Sequence, residues 1–439
     1  MRFRPGWVTR LAGAVATTGL LAPMALAQEV PEASAVSAYV DNSYLFLISG
    51  LVVMFMAAGF CMLEAGLVRA KNAATQATKN IMLYSVAGIM VWIAGYNIIY
   101  PSEWIVEGVF GFGGPWHWGD REAMSEAGYS PGSDWYFQMV FVATAASVVS
   151  GTLAERIKVW PFIIFTAVLT GVIYPIQCSW EWGGGWLDGM DFSDFAGSTL
   201  VHSTGGWAAL AGAIILGPRL GKYVDGKTVP MPGSNIPLAA LGTFILWFGW
   251  FGFNGGSQLA AGTAADINAV SIIFINTNAA AAAGVIAAMI MTSVLYKGKM
   301  DSTMILNGAI GGLVSITAEP LTPEIWQAVV IGGVGGVLVV LSVPALDKLK
   351  IDDVVGAIPA HLVCGIWGTL IVSWTNTGVP IVAQATGVVA IGAFVFISSA
   401  IVWTILKFTV GIRVSEEEEI EGLDLGELGL EAYPEFKKG

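Results

Sequence analysis

DFAGSTLVH, Asp194 to His202, sets an acid and a histidine eight residues apart at the head of a long apolar segment. Asp353 to His361 repeats the separation in a second apolar segment. The chain has only three histidines. Two of them therefore lie inside segments apolar enough to cross a membrane, where an ionisable side chain is costly and marks a functional site by default.

The surrounding composition supports a membrane setting. Of 439 residues, 55% are hydrophobic and 12% are charged, about half the usual charged fraction of a globular protein. Residues 1–27 read as a removable signal peptide. Arg2, Arg4 and Arg10 precede an apolar run, and Ala25-Leu26-Ala27 offers a small-x-small cleavage site. Cys61, Cys178 and Cys364 are scattered among apolar segments, so neither a disulfide framework nor a metal site is expected.

Gaps between charges locate the spans, since about 20 uncharged apolar residues cross the hydrocarbon core. The first runs from Tyr44 to Leu67, with Glu64 near its end, and the intervals Lys79 to Glu103, Asp134 to Glu155, Lys158 to Glu181 and Asp194 to Arg219 hold one each. Ile236 to Phe253, Asn268 to Leu295, Ile305 through Leu321, and Ile325 to Leu346 follow. The uncharged run from Val354 to Leu406 is too long for one helix and breaks at Asn376-Thr377-Gly378-Val379-Pro380. The expected fold is an all-α polytopic membrane protein with eleven transmembrane helices, an inverted 5+5 repeat plus a final helix. With an outside N-terminus, every Lys and Arg after the signal peptide falls on the inner side except Arg121, as positive-inside topology demands. The net charge of -12 belongs to outer loops and an acidic tail and does not point to nucleic acid.

The expected boundaries are 28–42 for an outer N-terminal segment, 43–218 for the first repeat, 219–235 for a cytoplasmic linker, 236–375 for the second repeat, 381–411 for the eleventh helix and 412–439 for a cytoplasmic acidic regulatory tail. In such an inverted repeat, equivalent helices run in opposite directions. Eight residues at ~1.5 Å each would carry His202 and His361 roughly 12 Å inward from opposite faces. In a core about 30 Å thick the two imidazoles then meet near the middle.

A permanent ion is strongly disfavoured at that depth, whereas a neutral molecule with a lone pair and N–H groups is not. Imidazole offers a donor and an acceptor and handles protons near neutral pH. The combination suits a weak base that sheds a proton before crossing, and ammonium is the small candidate.

Eight ordered motifs carry a resemblance that spans nearly all of the chain after residue 27: EAGLVRAKN (Glu64 to Asn72), GTLAERIK (Gly151 to Lys158), WGGGWL (Trp182 to Leu187), DFAGSTLVH, GWFGFNGGS (Gly249 to Ser257), NGAIGGLVSITA (Asn307 to Ala318), DDVVGAIPAHLVCGIWG (Asp352 to Gly368) and SEEEEIEGLD (Ser415 to Asp424). The sequence resembles the ammonium transporter family (Amt/Mep/Rh), in its Amt branch and bacterial type. The resemblance implies an ammonium-binding cage at Trp182, Ser257 and Phe137, and a gate at Phe141 and Phe253. It also implies a pore and proton relay at His202 and His361. Asp194, Trp250 and Asp353 are supporting residues, the two acids as helix caps. Trp250, Phe253 and Ser257 share a helix face by spacing, as do Phe137 and Phe141.

No catalytic role, cofactor or metal is implied. The implied partners are ammonium or ammonia, with methylammonium as a further substrate, the lipid bilayer, two further copies in a homotrimer, and a PII-type regulatory protein at the cytoplasmic face. The implied location is a bacterial inner membrane. An ammonium sensor and a passive ammonia gas channel are the alternative functions.

Overall fold

A computed structural model describes residues 34–121 and 123–436; the signal-peptide expectation for 1–27 lies outside them. Among the described residues eleven long helices run up and down: α1 Ala35–Leu67, α2 Ala70–Ile99, α3 Pro131–Thr152, α4 Val159–Ser179, α5 Ser198–Leu216, α6 Ile236–Gly256, α7 Ala264–Leu295, α8 Ser302–Ile316, α9 Ile325–Lys348, α10 Ile358–Thr375 and α11 Ile381–Thr409. A short helix, α12 Glu416–Glu421, lies in the tail. Nine of the eleven are long and apolar enough to span a membrane on composition alone. The other two, α3 and α8, are buried along nearly their whole length by the helices around them.

Sequence chemistry explains several boundaries. Asn235 accepts the Leu238 N–H to start α6 just before Pro237, and Thr263 with Asp266 forms a reciprocal capping box on α7. The turn at 376–380 separates α10 from α11 where the uncharged run was expected to break.

Other boundaries differ. α1 begins at Ala35, earlier than Tyr44, and α8 ends at Ile316 rather than running through Leu321. Beyond it Glu319 is buried and accepts the Asn376 side-chain N–H at 3.0 Å. Lys79 does not bound the second span. It lies within α2, 2% exposed, with Nζ donating to the Ser150 carbonyl at 2.9 Å. Charge gaps misplace that boundary because a cation with partners from neighbouring helices can be buried.

α5 and α10 enter the bundle from opposite faces, and both open with a wide π-helical turn, Ser198–Ser203 and Ile358–Val363, each containing a histidine. Such turns widen the backbone and are common at functional sites. The two helices touch through small residues. A Cβ on Gly206 would lie 2.9 Å from the Leu362 N, and one on Gly365 would lie 3.3 Å from the Ser203 N. The face bearing Trp182 and Asp194 is called the cage face below, and the opposite one the tail face.

The tail returns to its own helices. Asp424 accepts the N–H groups of Ala74 at 3.0 Å and Thr75 at 2.7 Å, and Asn72 accepts that of Leu423 at 2.9 Å. Glu419 takes the Leu220 N–H at 2.7 Å and pairs with Arg413. A β-hairpin of Tyr223–Val224 and Lys227–Thr228 occupies the loop between α5 and α6.

Candidate functional site

A column of rings runs through the bundle from the cage face inward. Phe137 and Phe141 project from one face of α3 with centroids 4.7 Å apart. Phe253, from α6, stacks on Phe141 at 3.9 Å and 18°. Trp182 stands edge-on to Phe141 at 6.1 Å, and its indole N–H donates to the Asp194 carbonyl at 3.1 Å. Ser257 donates its hydroxyl to the Phe253 carbonyl at 2.9 Å, which leaves its oxygen lone pairs free to accept. The neighbouring Gly256 permits close approach, since a Cβ there would lie 2.7 Å from the Phe137 ring. Trp182, Phe137, Ser257 and the stacked pair therefore form one contiguous aromatic and hydroxyl cluster.

Immediately below, the His202 ring lies 5.2 Å from Phe253 and stacks on Trp250 at 4.8 Å and 22°. Trp250 donates to Thr317 Oγ1 at 2.8 Å. Despite sharing a helix face with Ser257, Trp250 packs at the level of the histidines rather than against Trp182 and Phe137. His361 meets His202 with Nδ1 to Nδ1 at 3.2 Å, and its ring is 5.9 Å from Phe60. Both imidazoles are buried, and His202 Nε2 has no hydrogen-bond partner among the described residues.

The acids hold the histidine-bearing turns. Asp194 Oδ1 accepts the N–H groups of Gly197 at 3.1 Å and Ser198 at 2.7 Å, and Oδ2 accepts those of Thr199 at 2.7 Å and Leu200 at 2.8 Å. Gly197 supplies the left-handed φ of 102° that lets the chain wrap around this carboxylate. Asp353 Oδ1 takes the Gly356 N–H and the Thr152 hydroxyl at 3.1 Å each, and Oδ2 takes the Ile358 N–H at 2.7 Å. Neither carboxylate reaches into the ring column, because both are occupied by backbone donors.

Sequence reading passed over two further clusters. On the tail face Arg219 makes a two-pronged contact with Asp352, Nε and Nη2 each at 2.9 Å, and lies 3.4 Å from Glu155, which also pairs with Arg69. Arg156 Nη2 donates to the Asp352 carbonyl at 2.6 Å. Burial alone would raise the Asp352 carboxyl, yet Arg156 and Arg219 hold it well below the usual carboxylate range. The second cluster is Glu64 with Gln76, Asn80 and Ser150. Glu64, Arg69, Glu155, Arg156 and Asp352 lie within quoted motifs, whereas Gln76, Asn80, Ser150 and Arg219 do not, and only the fold brings them together.

Comparison with known proteins identifies the family. A family profile described as Ammonium Transporter Family matches residues 44–433. The ammonium transporter Amt2 of Archaeoglobus fulgidus is 42% identical over 422 residues, covering 89% of this chain and 87% of that protein. A solved structure described as a sensor Amt protein superposes with a TM-score of 0.83 at 34% identity, covering 89% of this chain and 98% of that one. Mep2 of Candida albicans gives a TM-score of 0.78 at 25% identity, with coverages of 87% and 88%. With the profile spanning most of its length, this chain belongs to the Ammonium Transporter Family.

Proposed function

We propose that the chain is an ammonium transporter of a bacterial inner membrane, reached by way of the signal peptide and working as a homotrimer with one path per subunit. Ammonium, or methylammonium, stops in the cage of Trp182, Phe137 and Ser257. The ring faces attract the cation by about 0.5–2 kcal/mol, and the Ser257 oxygen accepts one of its N–H groups. It loses a proton before the Phe141–Phe253 pair and crosses as ammonia along His202 and His361, with the proton following through the histidines. Potassium has no proton to shed and is refused by the same wall.

The observation that carries this reading is the stacked Phe141–Phe253 pair directly above two buried, mutually bonded imidazoles. A hydrated ion does not fit an aromatic stack at van der Waals contact, and a bare one finds too few ligands beneath it. A neutral base finds a donor and an acceptor. Asp194 and Asp353 hold the two turns in place, and Trp250 braces His202.

The tail contacts through Asp424 and Glu419 give a PII-type regulator a structured surface to read on the cytoplasmic face. The likeness to the sensor Amt protein keeps one second reading in view, in which ammonium occupancy of the cage is signalled onward.

The test is current across a solid-supported membrane carrying the reconstituted protein, with an internal pH dye reporting ammonia entry. An ammonium-specific, potassium-excluding current supports transport with the proton. Dye response without current would make the protein a passive gas channel, and silence in both would favour the sensor.

A further inference from the structure

Below the histidine pair, toward the tail face, four polar side chains meet inside the bundle. Glu64, near the end of α1 and 1% exposed, turns Oε2 to three donors: Gln76 Nε2, Asn80 Nδ2 at 2.7 Å and Ser150 Oγ at 2.8 Å. Ser150 also links this acid to Lys79, whose Nζ donates to the Ser150 carbonyl at 2.9 Å and sits 4.7 Å from the Phe162 ring centroid. A carboxylate and an ammonium this deep in a membrane bundle are costly and by default functional. Asp194 and Asp353 are explained as caps of helix turns, but Glu64 accepts only side-chain donors and caps nothing.

Its position follows from α1. Phe60, whose ring contacts that of His361, precedes Glu64 by four residues on the same helix face, so Glu64 stands about 6 Å nearer the tail face. The second oxygen, Oε1, faces the segment that carries His361. A Cβ added to Gly151 would lie 3.1 Å from it and would also strike Val355, which lies between Asp353 and His361. One oxygen is thus held by three donors, and the other borders Gly151 on the side where Val355, six residues before His361, also packs. The charged and titratable groups around it are Lys79 from α2, Cys61 on α1 itself, and Arg156 beyond α3, which acts on Lys79.

We propose that Glu64 is the next proton carrier after His361, delivering the proton to the tail face. The inference rests on the reading of ammonium transport with proton co-passage. In the step, the His361 imidazolium gives up H+ through intervening water and the Glu64 carboxylate gains it. The resulting neutral acid then loses H+ to water at the tail face and returns to carboxylate. No electrons move. The three donors hold Oε2 while Oε1 is loaded, so the carboxyl need not rotate.

The experiment measures current and dye-reported ammonia entry side by side for wild type, Glu64→Gln and Glu64→Asp. The amide oxygen of Gln can keep the three donors. For E64Q the current is expected to fall at least about tenfold while ammonia entry falls less than about threefold, and E64D should recover part of the current. A merely structural role would lower both signals together. Undiminished E64Q current beside a normal wild-type current would overturn the assignment of Glu64 alone. No current from wild type itself would instead overturn proton co-passage, and this role with it. Should E64Q fail to fold, the charge-neutral pair E64Q/K79M gives the same readout, and retention of full current there would equally sink the proposal.

Discussion

Gly206 and Gly365 occupy matching places, each four residues after a histidine, and each abuts the residue that follows the other histidine. The contact between α5 and α10 is therefore reciprocal, and it fixes the 3.2 Å separation of the imidazoles. Gly206→Ala would put a methyl against the Leu362 backbone, which cannot give way as a flexible side chain can. The expected result is a loss of about 1–3 kcal/mol of stability and at least tenfold slower uptake, read from thermal unfolding in detergent and from ammonium flux in liposomes. Wild-type flux in this variant would mean that the histidine spacing does not matter.

Removing either imidazole tests the relay. His202→Ala and His361→Ala should each abolish the ammonium-specific current, because the remaining ring has no Nδ1 partner. Current measured with ammonium and with potassium in parallel decides the point, and undiminished, potassium-excluding transport in either variant would end the relay role.

Phe253→Ala removes one half of the stack and opens the wall above His202. Potassium should begin to compete with ammonium in this variant, at a level undetectable in wild type. The measurement is ammonium current in the presence of increasing potassium.

At the cage, Trp182→Ala should raise the ammonium concentration for half-maximal current by about 2- to 30-fold, the equivalent of 0.5–2 kcal/mol of cation–ring attraction. Maximal current should change much less, since the stacked pair and the histidines remain. A fall in maximal current with unchanged half-saturation would contradict the cage assignment.

The tail-face ion pair sets a pH dependence of stability. Arg156 and Arg219 keep the Asp352 carboxyl depressed in the fold, while an unfolded aspartate titrates near 4. The stabilisation is therefore complete above about pH 4 and is lost as pH falls from there through the folded value. Asp352→Asn, which takes the two-pronged carboxylate from buried Arg219 and leaves it only Glu155 at 3.4 Å, should cost about 1–3 kcal/mol at neutral pH. The gap in unfolding temperature between wild type and D352N should narrow below about pH 4, and a gap independent of pH would refute the linkage.

The sequence made the helix count and the opposed histidines legible because both depend on local quantities: apolar length, charge placement and the eight-residue spacing from Asp194 and Asp353. The face shared by Phe137 and Phe141 was readable for the same reason. The stacking of Phe141 on Phe253 was expected only through family resemblance, since it joins side chains 112 positions apart. Lys79 misled the boundary of α2 because a cation was treated as a marker of the aqueous edge. Its partner Ser150 comes from another helix, which no local pattern announces. The π-helical turns at His202 and His361 were equally hidden, because their extra width is imposed by an aspartate wrapped in backbone donors and by the crossing at Gly206 and Gly365.

The Nδ1-to-Nδ1 meeting of His202 and His361 has one last consequence. Two neutral rings joined in this way share a single hydrogen, so one ring must be the giver and the other the receiver, and their outer nitrogens are set oppositely. A proton that enters at one outer nitrogen and leaves at the other reverses both settings. The pair then holds a one-bit memory of the last passage, and it cannot repeat the same transfer until that bit is reset. Under the proposed proton relay, throughput of charge would then be metered by the resetting of two rings, whatever the supply of substrate outside.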